Sequence, residues 1–384
     1  MDKNIDDCIT AEADSSRGVP HVRAVAISLL IFAGVATLVW LFQDVLLLNV
    51  VGTPFLSAAC ISGDGNRLLV VQDGLAPGNR CLHEFRLDGR LQHRALARYQ
   101  LSDSARFNVD IHPVDDRFVV GQGNSASIRS SSPDDAAQLV IEWCREVPAT
   151  QKIRCVAFLE NGASIFTMTG DGASLHDATS GKCLNARPSV LVNDGGVPAI
   201  RYLAVAKDGN QIVALTGSGI GENLAYDVSE SRLIPWKSGR IAMTSVALRG
   251  IGKEWYFSDV NGMVHVMGTS GTSRPLFRSS SSRILAIEVL HSNTERNALA
   301  VLTETSLELH SLTDGTLISA SPCPGLATLS RPVLVSQDGS RIVCVQSHEA
   351  CQVIRSFDVV MDSSRLKLKR NHEIRFNVLS YHGN

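Results

Sequence analysis

Nine cysteines and three His-Glu dipeptides are the residues of this chain whose types could do redox, metal or hydrolytic chemistry. Cys8 stands apart near the N-terminus; the other eight are Cys60, Cys81, Cys144, Cys155, Cys183, Cys323, Cys344 and Cys351. No C-x-x-C occurs, so zinc-ribbon and thioredoxin-type chemistry lack their ligand spacing. An even number of downstream cysteines permits disulfides in an exported domain. The local candidate is Cys344 with Cys351, on two expected strands joined by a short loop. The alternative is a pair of buried free thiols, since cysteine packs as a small apolar residue. The dipeptides His83-Glu84, His348-Glu349 and His372-Glu373 do not extend to H-E-x-x-H, and none lies in a helical pattern, so metalloprotease chemistry is unsupported. Gly217-Ser-Gly-Ile-Gly221 leads into a further strand pattern, Leu224–Tyr226, where a phosphate loop needs a helix N-terminus, so it reads as a turn. A G-x-S-x-G hydrolase elbow is absent. No residue is assigned a catalytic, cofactor-binding or metal-binding role, and no cofactor is expected.

The elements that position these residues follow from an internal repeat. A tight turn between two apolar runs recurs at Asp64-Gly65, Asp115-Asp116, Asn161-Gly162, Asp208-Gly209, Ile251-Gly252, Thr294-Glu295 and Asp338-Gly339. Successive intervals run from 43 to 51 residues, near the ~40–45 of a four-stranded propeller blade. A second ladder keeps step: Asp88-Gly89, Asp134-Asp135, Ser180-Gly181, Ser229-Glu230, Ser270-Gly271, Asp314-Gly315 and Asp362-Ser363. Segments such as Arg67–Gln72, Arg117–Gly121, Ser164–Met168, Glu254–Phe257, Ala298–Leu302 and Arg341–Val345 are short and apolar, and turn residues bound them, as strands require. The expected fold is all-β: a seven-bladed β-propeller of four-stranded antiparallel blades over residues 52–384. Ile374–Leu379 reads as a final strand, with Leu46–Phe55 available to pair with it. Arg365, Lys367 and Lys369 alternate with Leu366 and Leu368, which puts three cations on one strand face. Anionic lipid or a protein partner could use that face, and protecting an exposed edge is its expected role.

The stretch CVAFLENGASIFTMTGDGASLHDATSGKCL, Cys155 to Leu184, resembles a unit of the WD-repeat β-propeller family. His176-Asp177 stands where the family usually has Trp-Asp. Tyr226-Asp227 and Phe357-Asp358 hold that place in the fourth and seventh units, and the fifth and sixth are read as lacking the pair. The family's Gly-His dipeptide is absent throughout. The resemblance covers about residues 56 to 370 and implies a propeller that serves as a protein-binding platform, its partners unspecified. Propeller enzymes and ligand sensors are the alternative, with a metal or small-molecule site in the central funnel. Asp110 and His112, next to an inner strand, are the near pair that such a site would use.

Ala24 to Phe42 is 19 residues without a charge, long enough to span a bilayer core of about 30 Å as a helix and longer than a signal-peptide apolar core. One transmembrane helix is therefore expected over residues 24–45, after a polar tail at 1–23. Arg17 and Arg23 precede it and the next basic residue is Arg67. The positive-inside tendency puts the N-terminus in the cytoplasm and the propeller outside, at a bacterial-type inner membrane, with the bilayer as a partner of the anchor. Leu56-Ser-Ala-Ala-Cys60 has the wrong spacing for a lipoprotein cleavage box and reads as a strand. Beyond residue 23 the chain carries 33 charges of each sign. Such a balance offers no basic face for nucleic acid. The chain contains no Asn-x-Ser/Thr acceptor, which argues against a glycosylated eukaryotic ectodomain.

Overall fold

A computed structural model describes most of residues 56–376, apart from several connecting segments; residues 1–55 lie outside it. The expected anchor over 24–45, the Leu46–Phe55 partner strand and the Gly217–Gly221 turn therefore fall outside the described residues. Among the described residues no helix is long and apolar enough to cross a membrane.

The described strands form seven antiparallel sheets, each drawn from one continuous stretch of chain. The first holds β1 (Leu56–Ile61), β2 (Arg67–Asp73), β3 (Asn79–Arg86) and β4 (Gln92–Gln100). The second holds β5 (Asn108–Ile111), β6 (Arg117–Gln122), β7 (Ser125–Ser130) and β8 (Gln138–Val140). The third holds β9 (Cys155–Leu159), β10 (Ser164–Met168), β11 (Gly172–Asp177) and β12 (Cys183–Pro188). The fourth holds β13 (Ile200–Val205), β14 (Gln211–Thr216), β15 (Glu222–Asp227) and β16 (Arg232–Lys237). The fifth holds β17 (Met243–Arg249), β18 (Glu254–Asp259), β19 (Met263–Met267) and β20 (Ser273–Arg278). The sixth holds β21 (Ile284–Leu290), β22 (Ala298–Thr303), β23 (Ser306–Ser311) and β24 (Leu317–Pro322). The seventh adds a strand: β25 (Leu326–Ala327) and β26 (Val333–Val335) both pair with β27 (Arg341–His348), followed by β28 (Cys351–Asp362) and β29 (Arg365–Phe376). Leu56–Ile61 is thus a strand, as its sequence suggests.

The sheets meet through their first strands. β1 lies beside β5, β5 beside β9, β9 beside β13, β13 beside β17, β17 beside β21, β21 beside β26, and β26 beside β1. Period-two alternation explains why each sheet takes two neighbours. On β2, Leu68 and Val70 pack with Leu334, Val343 and Val345 of the seventh sheet. Leu69 and Val71 point the other way, into Val109, Ile111, Phe118 and Val120 of the second sheet. On β6, Val119 turns instead to Val156, Phe158 and Ile165 of the third sheet. On β27, Ile342 and Cys344 join the sixth sheet's core while Val343 and Val345 join the first sheet's. Each fully buried Val, Leu or Ile contributes roughly 1.5–3 kcal/mol.

Polar groups hold the seams in register. The turn Ser62–Arg67 is closed by Asp64, which accepts from Ser62 Oγ (2.5 Å) and Asn66 N (3.0 Å). Asp338 does the same in the seventh sheet, accepting from Ser336 Oγ (2.6 Å) and Ser340 N (2.9 Å). The arginine that opens each following strand then reaches the next sheet. Arg341 donates to Gly65 O (2.8 Å) and Leu87 O (3.1 Å) of the first sheet, and to Asp358 within its own (3.0 Å). Arg67 donates to Asp115 O (3.3 Å) and Asp116 O (3.4 Å) of the second sheet. Arg117 donates to Ala178 O of the third (2.9 Å). Two further bonds join the seventh sheet to the first: Asp338 N to Gly63 O (3.1 Å) and Leu56 N to Gln352 Oε1 (2.6 Å).

Removing Arg341 should leave the Gly65 and Leu87 carbonyls, Asn66 Oδ1 and the Asp358 carboxylate without this donor. Arg341→Ala is expected to cost about 2–4 kcal/mol in urea unfolding. Arg283→Ala, at an exposed ion pair with Glu304, should stay within about 0.5 kcal/mol. Gly162 has φ +92° and faces His112, whose ring a Cβ would overlap; Gly123 has φ +59° with open space around it. Gly123→Ala should cost about 1–2 kcal/mol from backbone strain alone, and Gly162→Ala clearly more in the same assay.

Candidate functional site

A group of titratable side chains lies on or beside the first strands of four sheets. Val109 and Ile111 of β5 face the first sheet, so Asp110 between them faces the third. Its Oδ2 accepts from Phe158 N of β9 (2.8 Å) and its Oδ1 from Ile111 N (3.0 Å). Burial pushes the Asp110 carboxyl up to about 6, against those two backbone donors and the charge of Arg331. Glu288 of β21 is buried, and its Oε2 accepts from Arg331 Nε (3.2 Å) and Nη2 (3.1 Å) across the seam between the sixth and seventh sheets. Burial raises its carboxyl as well, and Arg331 pulls it back. Cys60 of β1 lies within electrostatic reach of Asp110 and Arg331; burial raises its thiol well above the ordinary value. Perturbed carboxyls of this kind mark candidate functional sites. Here both oxygens of Asp110 are taken up by backbone donors, and the carboxylate ties β5 to β9.

His112 does not join Asp110 around a common centre. Its Nδ1 accepts from Asp115 N (3.0 Å) and Val114 N (3.3 Å), which closes the β5–β6 turn, and its ring stands edge-on to Phe158 at 5.0 Å. Burial lowers its pKa, the larger effect, against the nearby Asp115 carboxylate. The pair expected from sequence thus faces the third sheet, with each member engaged in a structural bond. Among the described residues no group of three or more His, Cys, Asp or Glu side chains could hold a metal ion.

The third strands carry a feature that the dipeptide comparison only partly detects. A register shift falls immediately before His83, His176, His265 and His310, in four different sheets. Such shifts re-aim a side chain. His176, at the Trp place of the third unit, is fully buried with Nε2 2.9 Å from Thr167 Oγ1 of the neighbouring strand. Asp177 keeps the turn, accepting from Ser180 N (2.6 Å) and Ser180 Oγ (2.7 Å), which lower its pKa. The sixth unit, read from sequence as lacking the pair, keeps its first member. His310 follows the same shift, and Gly315 N donates to Ser311 O as Gly181 N does to Asp177 O. His310 Nε2 meets Glu308 Oε2 (2.9 Å), and its ring stacks on Phe277 at 4.0 Å. His265 stacks on Phe257 at 5.0 Å and meets Asp259 (3.1 Å). The usable signal was an apolar residue followed by His on the third strand: Leu82-His83, Leu175-His176, Val264-His265, Leu309-His310. In the seventh unit Phe357 is fully buried and Asp358 accepts from Arg341. Tyr226-Asp227 ends β15.

The candidate Cys344–Cys351 disulfide is not formed, and the β27–β28 ladder gives the reason. Cys351 stands opposite His348, and Cys344 opposite Arg355. Neither cysteine is disulfide-bonded. Cys351 opens β28 opposite His348, the last residue of β27, which leaves Cys344 four residues further along the ladder. Of the other dipeptides, Glu84 accepts from Arg67 Nε (2.7 Å), and Glu373 accepts from Arg355 Nε (3.0 Å) and Arg375 Nε (2.8 Å). Arg365, Lys367 and Lys369 are exposed while Leu366 and Leu368 are buried, as their alternation implies. Asp362, Val360 and Asp358 stand opposite the three cations on β28. Cross-strand carboxylates therefore offset that face, and Lys367 bonds Asp362 at 3.3 Å.

No family sequence model matches the chain, and no curated protein sequence is significantly similar to it. Solved structures are similar in fold. Kluyvelomyces marxianus Hsv2 superposes with a TM-score of 0.52 at 12% identity, over 84% of this chain and 98% of that one. The C-terminal WD40 domain of Sif2 gives 0.51 at 14% identity, over 84% and 86%. U3-55K gives 0.53 at 13% identity, over 77% and 89%. At these identities the likeness establishes the fold, which is a WD40-like propeller.

The raised carboxyl of Asp110 has a defined pH signature. Its pKa is about 6 in the folded chain against an ordinary 3.8, so the folded state holds the proton more tightly. Its contribution to stability is present in full below the lower value and is lost as pH rises through the higher one. The unfolding free energy of the wild type minus that of Asp110→Asn should therefore fall with rising pH through this window and level off above it. A flat difference across denaturant titrations at successive pH values would contradict the assignment.

Proposed function

We propose that the chain is a membrane-anchored interaction platform: a closed ring of seven blades that offers its rim turns to protein partners while the sheets stay rigid. The observation that carries this reading is the use of both faces of the first, second, sixth and seventh sheets in seams with neighbours. Leu68 and Leu69 pack into opposite seams, and Asp110 is bonded across one to β9. Surface that remains for a partner lies on the outer strands and at the turns, where Val114 and Val260 are 77% and 59% exposed. Loops held on a rigid frame are where binding residues concentrate. Ring closure is supported by the succession of first-strand neighbours, with β26 beside β1, and by the Arg341 bonds to the first sheet. Ala24–Phe42 is the anchor in this reading, with Arg17 and Arg23 on the cytoplasmic side. An extracytoplasmic propeller is supported by Cys183, which is disulfide-bonded, because such bonds persist in oxidising compartments.

Two experiments test the reading. A photo-crosslinker placed at Val114 or Val260 in intact membranes should capture the same identified protein repeatedly, and one placed at the buried Phe357 should not. Failure of every rim position to capture a protein would remove the platform role. An enzyme reporter fused after Asn384 and active only outside the cytoplasm should be active; activity solely of a cytoplasmic reporter would reverse the topology.

A further inference from the structure

Cys323 and Cys344 lie in the seam between the sixth and seventh sheets. Both are fully buried, and both belong to one apolar cluster with Leu307, Leu309 and Phe357. Cys323 lies on the segment leaving β24, which the sixth sheet holds through Cys323 N to Thr305 O (2.9 Å) and Gly325 N to Glu304 O (3.0 Å). Its Sγ donates to Gln346 Oε1 (3.1 Å), and Gln346 Nε2 returns a bond to Cys323 O (3.2 Å). Gln346 follows Cys344 by two positions on β27, so both side chains share the strand face that Cys323 covers. Cys344 and Cys323 lie close enough for each thiol to shift the other's ionisation. Arg355 stands opposite Cys344 in the ladder and donates to Gln346 Oε1 (3.2 Å) and Pro324 O (2.8 Å).

We propose that Cys323 and Cys344 are the sites of an intrachain disulfide that locks the sixth sheet to the seventh, formed by exchange with a low-molecular-weight disulfide. The two thiols have unequal roles. The Cys344 thiol and the Arg355 guanidinium hold the Cys323 thiol below its ordinary pKa, while burial first and then Cys323 raise that of Cys344. Cys323 is therefore the attacking thiolate and Cys344 the resolving thiol. In the first step Cys323 Sγ attacks one sulfur of the small disulfide, its S–S bond breaks, and one small thiolate leaves. In the second step the Cys344 thiol loses its proton, its sulfur attacks Cys323 Sγ, and the second small thiolate leaves. The two protons released by the protein thiols end on the two small thiols. One small disulfide is reduced for each protein disulfide made. Both sulfurs are buried, so exchange waits on opening of the seam. The inference depends on that seam alone and stands whichever side of the membrane holds the propeller.

The test uses the full chain, reduced and then held with oxidised glutathione below its unfolding midpoint. Remaining thiols are blocked and the chain is digested. The expected result is a peptide pair linked through Cys323 and Cys344, with fragmentation separating Cys344 from Cys351, which share a tryptic peptide. Cys344→Ser should accumulate glutathione at position 323, whereas Cys323→Ser should leave Cys344 unmodified. Absence of the 323–344 link from wild-type chain after prolonged exchange would overturn the proposal without reference to either variant. A link from Cys323 to another cysteine would overturn it equally. Glutathione accumulating on Cys344 in Cys323→Ser would overturn the assigned roles.

Discussion

A sheet with apolar residues at consecutive strand positions has two apolar faces, and neither can be left in water. On β2, Leu68 and Val70 leave one face and Leu69 and Val71 the other, all fully buried. One neighbour would cover half of them. Stacking in a line would leave the first and last sheets with a bare face each. Contact between β26 and β1 removes that deficit. Much of the remaining structure follows from this demand, because every seam must be dry, close-packed and held at a fixed offset.

Dry seams make each buried polar group expensive unless it is bonded. The described residues meet that cost with repeated devices. Asp64 and Asp338 close equivalent turns on their own backbone and on a serine. Arg67, Arg117 and Arg341 carry a guanidinium from one sheet to carbonyl groups of the next. Asp110 accepts the N–H of a neighbouring first strand, and His112 closes a turn beneath the Gly162 backbone. Residues whose types suggest acid–base chemistry are thus the ones that hold the sheets together. The same demand accounts for the third-strand histidines. An imidazole can fill an apolar seam with its ring and still satisfy a neighbour through one nitrogen, as His176 does with Thr167.

Rigidity built this way moves recognition to the turns. The strands are committed on both faces, so variation that leaves the fold intact is confined to connections and outer strands, the usual location of binding residues on a fixed frame. The β28–β29 hairpin fits the pattern. Its inner row of Leu366 and Leu368 joins the core, while its outer row alternates cations with cross-strand aspartates, as suits an exposed strand that must not recruit another chain.

Strand positions, the order of the sheets and the turn residues were legible in the sequence, because each depends on a few neighbouring residues. Arg67–Gln72, Ser164–Met168 and Ala298–Leu302 are strands within a residue of their expected bounds. So was the role of Asp177, whose side chain acts on its own turn. Side-chain partners across strands and seams were not legible. The register of β27 with β28 decides that Cys351 faces His348, and the path of the chain from β24 to β25 brings Cys323 to Gln346, on the Cys344 face of β27. A register shift of one residue decides that His310 occupies the place of His176. Local pattern determined which residues are strands and which are turns; only tertiary packing decided which buried groups meet, because their separation along the chain carries no record of the face each one takes.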